Sequence, residues 1–479
     1  MLLLAIVLFA GACKTEITGE MKGNITPETY TVVDTILRAG PDRLNSEVQI
    51  RWWGDDPDGF VTGFEFSFDN TNWTFTTKND STFILSPPPG KDTLDFTFYV
   101  RAIDNENIKD PTPAQLTYPI KNSPPSVQFV SGAFNPVRTF PVIKFYFEGS
   151  DPDGIDNLQR YEIVWNDTAR APFTIPATAS SATFVAEDVD ADSSAVKVYI
   201  NNNTTAENGL MAGLMLNSDN VLYIRAIDNS EATSTWKASY SIYVKKVSSN
   251  ILLVNGNTSA SASIESFYLQ QLATQGFTNV DTLRIFEQVG GQSTQQAPDN
   301  LTQSRIFALF ESIIWFSNSA QKSLPLAQKT TGNFFSQGGK LLMAVYISSS
   351  FDEQSQFLDF TPIQSLVNPK DTTLLLDNGA QILPQISGWP VLKSTTIVGI
   401  VKPMNLDIGS QALYDAELLA RDDVTSNIGP WTGNSTVVAL RKSGGQTNFI
   451  ISTLELEKLN GNNNIDDFFN KVLKQEFGL

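Results

Sequence analysis

The chain has 479 residues, too many for one ordinary hydrophobic core, and the usual domain size suggests roughly three domains. A hydrophobic content of 41% with 18% charged residues fits a folded protein, while a net charge of -18 repels phosphate backbones and argues against a nucleic-acid partner. There is no histidine and only one cysteine, which excludes Ser-His-Asp and Cys-His catalysis, the HExxH metal site, an internal disulfide and any multi-thiolate zinc site.

In chain order, residues 1–12 read MLLLAIVLFAGA and are followed at once by Cys13. An apolar run ending in small residues before a cysteine resembles a bacterial lipoprotein signal with its lipobox, although Ala10 stands where leucine is commoner and no Lys or Arg precedes the run. The resemblance implies cleavage before Cys13, a diacylglycerol on its thiol, and a protein exported and lipid-anchored to the bacterial outer membrane, at the cell surface. Residues 13–27 are polar and read as a tether.

An internal repeat follows. Trp53-Gly54-Asp55-Asp56-Pro57-Asp58-Gly59 and Tyr99-Val100-Arg101-Ala102-Ile103-Asp104-Asn105 return as Gly149-Ser150-Asp151-Pro152-Asp153-Gly154 and Tyr223-Ile224-Arg225-Ala226-Ile227-Asp228-Asn229. Runs such as Val48-Gln49-Ile50-Arg51-Trp52 alternate with period two, as half-buried antiparallel strands do. We therefore expect two β-sandwich modules, at 28–122 and 123–247, joined near Asn122-Ser123-Pro124-Pro125. The pattern resembles fibronectin type III-like and immunoglobulin-like modules. The second copy is longer by an insertion near 189–216, where Asn201-Asn202-Asn203-Thr204-Thr205 marks an exposed loop and a candidate contact surface.

The sandwich topology would bring Asp56 and Asp58 towards Asp104, and Asp151 and Asp153 towards Asp228. Converging carboxylates outside the cell suit Ca²⁺, a possible cofactor. The same DPDG sequence also makes a good tight turn without any ion.

From 248 to 479 the periodicity changes. Ile251-Leu252-Leu253-Val254, Thr282 to Phe286, Ile313-Ile314-Trp315-Phe316 and Leu341-Leu342-Met343-Ala344-Val345 read as buried strands. They alternate with helical segments, one bearing Ile264, Phe267, Tyr268 and Leu272 and another over Leu326 to Gln337. Strands at Thr436 to Leu440 and Phe449 to Ser452 lead to a last helix with Ile465, Phe468, Phe469, Val472 and Leu473 on one face. The fold class expected for the whole chain is thus multidomain β plus α/β: two antiparallel sandwiches, then a doubly wound, mainly parallel α/β domain.

Phe334-Phe335-Ser336-Gln337-Gly338-Gly339-Lys340-Leu341-Leu342-Met343-Ala344 resembles the class I glutamine amidotransferase-like fold. That family's nucleophile turn carries a cysteine, whereas here it reads Val345-Tyr346-Ile347-Ser348-Ser349-Ser350, so the glutaminase activity does not carry over. The strand ends still predict a ligand crevice at Asn255, Asn257, Asn318, Tyr346 and Ser348.

The function expected is therefore a non-catalytic binding or scaffold lipoprotein of the cell envelope, with no catalytic residues, membrane contact through Cys13, and an envelope protein or glycan as partner. One alternative is surface polysaccharide binding through Trp73, Trp389 and Trp431. The other is a carboxylate-based glycoside hydrolase, for which Asp352 and Glu353 are candidates.

Overall fold

The computed structural model describes residues 22–36, 47–85, 87–88, 91, 93–132, 134–259, 262–289, 292–351 and 358–479. The apolar segment 1–12, Cys13, Asp352 and Glu353 lie outside the described residues. Most of the regular structure is β-sheet, and the chain forms two compact units.

The first unit comprises the chain up to residue 125 with the loop segments 151–158 and 228–232. Its sandwich sets Glu28–Ile36, Glu47–Asp55 and Asp80–Ile84 as one antiparallel sheet. Thr74–Thr76, Val61–Ser67, Thr93–Asp104 and Ala114–Lys121 form the other, also antiparallel. The expected alternation holds along the second strand, where Val48, Ile50 and Trp52 are buried while Arg51 and Trp53 face solvent. Trp52 packs 5.5 Å from Phe98 and donates its indole N–H to the Lys78 carbonyl at 2.9 Å, so even the largest core side chain has its polar atom satisfied.

The second unit holds the strands of the second sandwich and the whole C-terminal region. One sheet of that sandwich has five antiparallel strands, ordered Met211–Met215, Ser193–Ile200, Ser181–Ala186, Val142–Ser150 and Ser126–Val130. Two of them come from the stretch read as an insertion, so much of that insertion is sheet. The asparagine loop between these two strands is exposed from Asn201 to Thr205, as expected. It also makes internal contacts: Asn202 accepts from the Lys144 ammonium, and the Asn203 carbonyl accepts from Arg305 at 3.2 Å.

The C-terminal sheet has nine strands, ordered Asp281–Arg284, Ile251–Asn255, Ser312–Ser317, Lys340–Val345, Gln446–Ser452, Thr436–Ser443, Ser410–Ala416, Gln381–Pro384 and Leu392–Lys393. The first five pair in parallel and the remainder antiparallel. This corrects the expectation of a doubly wound, mainly parallel domain to one of a mixed sheet with few helices. The physical reason lies in the described residues between 346 and 435, where turns and short strands replace the helix that each parallel crossover requires. Ala262–Thr274 and Ile465–Asn470 pack on one face, where Ile465, Phe468, Phe469, Val472 and Leu473 are all buried. Asn300–Phe307, Ala320–Thr330 and Gly332–Ser336 cover the other face. The single helix expected over Leu326 to Gln337 is therefore two, the first with Pro325 inside it.

Sandwich and mixed sheet share a core, since Phe140 and Val142 pack among Leu252, Phe310 and Ile313. Asp299 ties them together. It accepts from the fully buried Lys144 ammonium at 2.5 Å and from the Tyr146 hydroxyl at 2.9 Å, and it caps Asn300–Phe307 through the Thr302 N–H at 2.8 Å. Burial opposes its charge, but Lys144 and the Thr302 N–H outweigh that and hold the carboxyl below its ordinary range. A carboxyl depressed in the folded state contributes stability that is present above the ordinary carboxylate range and lost as pH falls through the depressed value. Asp299→Ala should leave Lys144 buried without its counter-ion and lower the unfolding free energy of this unit by about 3 kcal/mol, read by urea denaturation at pH 7. A loss under about 0.5 kcal/mol would mean that the pair is not holding the unit together.

Candidate functional site

The repeated acidic loops lie in the first unit. Asp104 is fully buried at the end of its strand, and its Oδ1 accepts the N–H groups of Glu106 and Ile108, both at 2.8 Å. Asp228 does the same for Ser230 and Ala232, at 2.9 and 2.8 Å. The second oxygen reaches the segment that leads into each module. Asn24 donates its amide to Asp104 at 2.5 Å while the Ile25 N–H points at Asp58 at 3.1 Å. In the copy, Asn122 donates to Asp228 at 2.5 Å and the Ser123 N–H to Asp153 at 2.6 Å. Thus an asparagine and the residue after it are gripped by the same two aspartates in both modules. Residues 24–25, read as part of a free tether, are the start of the folded module.

Asp58 and Asp104 lie near enough to Asp56, and Asp153 and Asp228 to Asp151, to oppose the charge on its carboxylate. Yet most of the six are already engaged by N–H donors, and among the described residues no group of three or more histidine, cysteine, aspartate or glutamate side chains is placed to hold a metal ion. Four of the six aspartates suggested for calcium, Asp58, Asp104, Asp153 and Asp228, clamp the chain in this geometry, while both oxygens of Asp56 and Oδ2 of Asp151 have no hydrogen-bond partner among the described residues. Burial opposes the charge on Asp104, but the N–H donors and Asn24 hold its carboxyl below the ordinary range. Burial pushes Asp151 the other way, up to about 6; the Asp153 N–H counteracts this, and the Asp153 and Asp228 carboxylates reinforce it.

A second device also recurs in both copies. Glu65 pairs with Arg101 at 2.7 Å, and the Arg101 guanidinium lies 4.0 Å over the Trp73 ring. Glu162 pairs with Arg225 at 2.5 Å, and Arg225 lies 4.6 Å over Trp236. Trp73 is therefore covered by an arginine. Trp389 is buried against Tyr414 and Phe468, and Trp431 packs partly into the same core. Trp73 and Trp389 are thus not free platforms for a sugar, whereas Trp431 is half-buried and lines a surface pocket with Leu383, Gln385 and Pro430. An exposed aromatic pair occurs instead at Tyr30 and Trp53, which face each other across two strands with centroids 5.5 Å apart.

In the second unit the sheet order reverses at Ile251–Asn255, whose neighbours are Asp281–Arg284 on one side and Ser312–Ser317 on the other. Open sheets form a crevice at the carboxyl ends of strands near such a reversal. Here it is a cavity of about 390 Å³ lined by Asn255, Asn257, Glu265, Arg284, Phe286 and Glu287, with smaller polar groups at its rim. Gly256 lets the turn form, because a Cβ there would meet the Trp315 indole nitrogen at 2.5 Å and the Ser323 hydroxyl at 2.8 Å. Asn255 donates to Glu265 at 2.8 Å, and Glu265 takes Arg284 at 2.9 and 3.0 Å. Burial works against the charge on Glu265, but these hydrogen bonds hold it below the usual glutamate range.

Of the crevice residues read from sequence, Asn255 and Asn257 line the cavity. Asn318 stands beside it, donating its N–H to Asn257 at 2.7 Å and accepting from the Thr258 N–H at 3.1 Å. Tyr346 and Ser348 are not in its lining. Tyr346 instead joins strand ends through its backbone, and the Ser348 hydroxyl lies 3.1 Å from that of Ser350. Glu265, Arg284, Phe286 and Glu287 were missed. Their signal was present as charged residues in the first helical turn after one strand and at the end of the next.

No family model and no curated protein matches the chain. Among solved structures, the PKD1 domain of Vibrio anguillarum Epp is similar over 21% of this chain and 98% of its own, at 13% identity and a TM-score of 0.16. The fibronectin(III)-like modules of Clostridium thermocellum CbhA cover 45% of this chain and 94% of their own, at 14% identity and a TM-score of 0.19. A two-domain fibronectin type III segment of chicken tenascin covers 43% and 95%, at 9% identity and a TM-score of 0.20. Similarities this low carry no functional inference, and the sandwich architecture rests on the strand pairing above.

The acidic clamp makes a pH prediction. A carboxyl raised in the folded state contributes stability that is full below the unfolded value of 3.8 and lost as pH rises through about 6. Asp151→Asn keeps the acceptor for the Asp153 N–H but removes the charge. At pH 7 it should unfold at higher urea than the parent, by on the order of 1 kcal/mol given partial screening, and the difference should shrink towards pH 4. An equal or lower midpoint at pH 7 would refute the burial argument.

Proposed function

We propose that this chain is a lipid-anchored binding or scaffold component of the bacterial cell envelope, held at the outer membrane through Cys13 and without catalysis of its own. The observation that carries the binding reading is the cavity at the strand ends of the C-terminal sheet. Its charges are paired with one another, Glu265 with Arg284 and Arg284 with Glu287 at 3.2 Å, and so are spent on holding a shape. Support for presentation of that site comes from Asp299 and Arg305, which fasten its domain to the second sandwich. Support for the anchor comes from the sequence alone, where Cys13 follows the apolar run of residues 1–12. The C-terminal domain keeps its resemblance to an amidotransferase-like fold only as part of this proposal.

Two measurements test it. The tagged full chain should partition into detergent from its native membranes and move to the aqueous phase on Cys13→Ser; a parent chain already in the aqueous phase would remove the anchor. Gentle extraction should then retain a protein or glycan in stoichiometric amount. Recovery of the chain alone would defeat the scaffold reading.

A further inference from the structure

The cavity of the C-terminal domain restricts the charge of what it can hold. Within the lining an anionic ligand meets one cation, and the Arg284 guanidinium is already shared between Glu265 at 2.9 and 3.0 Å and Glu287 at 3.2 Å, while the exposed Lys322 stands outside the lining over Phe286. That leaves the charged lining with two carboxylates to one guanidinium, and it sits in a chain of net charge -18. A cationic ligand fares little better. Glu265 is filled by Arg284 and Asn255, and one oxygen of Glu287 accepts from the Thr294 hydroxyl at 2.8 Å and the Gln295 amide at 3.0 Å.

The groups left for recognition are neutral. Thr258 and Ser259 bring hydroxyls held, among the described residues, only by long 3.4 Å contacts to Asn318, Gln288 brings an amide, all on exposed residues at the rim, and Asn257 brings an amide from the wall whose oxygen takes the Asn318 N–H. Such groups both donate and accept, as neighbouring hydroxyls on a sugar ring do. Phe286 adds one half-buried aromatic ring, with the Lys322 ammonium 5.9 Å from its centroid, and the C–H face of a sugar can rest against the part of the ring left open. The volume, about 390 Å³, is near the small end for ligand pockets.

We propose that this cavity binds a neutral saccharide of mono- or disaccharide size, as a free sugar or as the exposed end of a glycan. The inference rests on the binding reading above and names its ligand class. It places the sugar away from the three tryptophans that the sequence brought forward.

The test uses the full-length chain and saturation-transfer NMR with a panel of neutral probes (glucose, galactose, mannose, xylose, N-acetylglucosamine and their β-linked disaccharides), with galacturonate and glucosamine as charged controls. At least one neutral sugar should bind, with the controls weaker. Phe286→Ala should weaken that sugar about tenfold or more. Since Phe286 also touches the core, Ser259→Trp serves as the second variant, filling the cavity from an exposed position and abolishing the signal without a change in melting temperature. No binding by any neutral sugar, stronger binding of a charged control, or binding undiminished in Ser259→Trp would each overturn the proposal. Retention of a protein partner on extraction is read separately, so the saccharide inference can fail while the scaffold reading stands.

Discussion

A single carboxylate, Asp299, carries the architecture of the second unit. Taking the Lys144 ammonium fully out of water would be prohibitive without a counter-charge, and Asp299 supplies it from a helix cap of the C-terminal domain. The same side chain thereby starts Asn300–Phe307, the helix that leads into Ser312–Ser317, the third strand of the nine-stranded sheet. Sandwich and mixed sheet are in consequence parts of one core. Around this pair other polar ties accumulate: Arg305 lies over Tyr199, and buried Asp281 gathers the Ser248 and Ser249 N–H groups of the connecting segment.

The tandem modules use one set of polar devices twice. The arginine of each YxRAIDN strand is neutralised by a glutamate on the neighbouring strand and covered by a tryptophan, Trp73 in one copy and Trp236 in the other, which come from different positions. The aspartate of the same motif closes its own loop and fastens the chain entering the module. Carboxylates in these loops thus have a structural use: they satisfy backbone N–H groups that would otherwise be buried without partners. Asp151 and its counterpart Asp56 show the cost of crowding, since burial and two neighbouring carboxylates raise each of them.

The candidate site follows from topology more than from any single residue. Strand order reverses at Ile251–Asn255, and the turn Asn255-Gly256-Asn257 opens the crevice because Gly256 leaves room against Trp315 and Ser323. Charged groups in the crevice then pair with one another, Arg284 with Glu265 and Glu287. Beside them stand neutral hydrogen-bonding groups and one aromatic ring, Phe286.

The sequence by itself determined the repeat, the alternation that buries Val48, Ile50 and Trp52, the continuous apolar strands of the C-terminal sheet and the buried face of its last helix. Each is written locally, as a period or a turn signal within a dozen residues. It also exposed Asn255 and Asn257, because a polar pair directly after an apolar run must sit at a strand end. Only the tertiary structure decided the rest. Whether Trp73 faces solvent depends on Arg101, 28 positions away in sequence, and whether the asparagine loop at 201–203 is free depends on Lys144 and Arg305. The antiparallel half of the nine-stranded sheet was hidden for the same reason. Short strands without a helical crossover acquire their direction from the neighbours they pair with, and pairing between distant segments leaves no local mark.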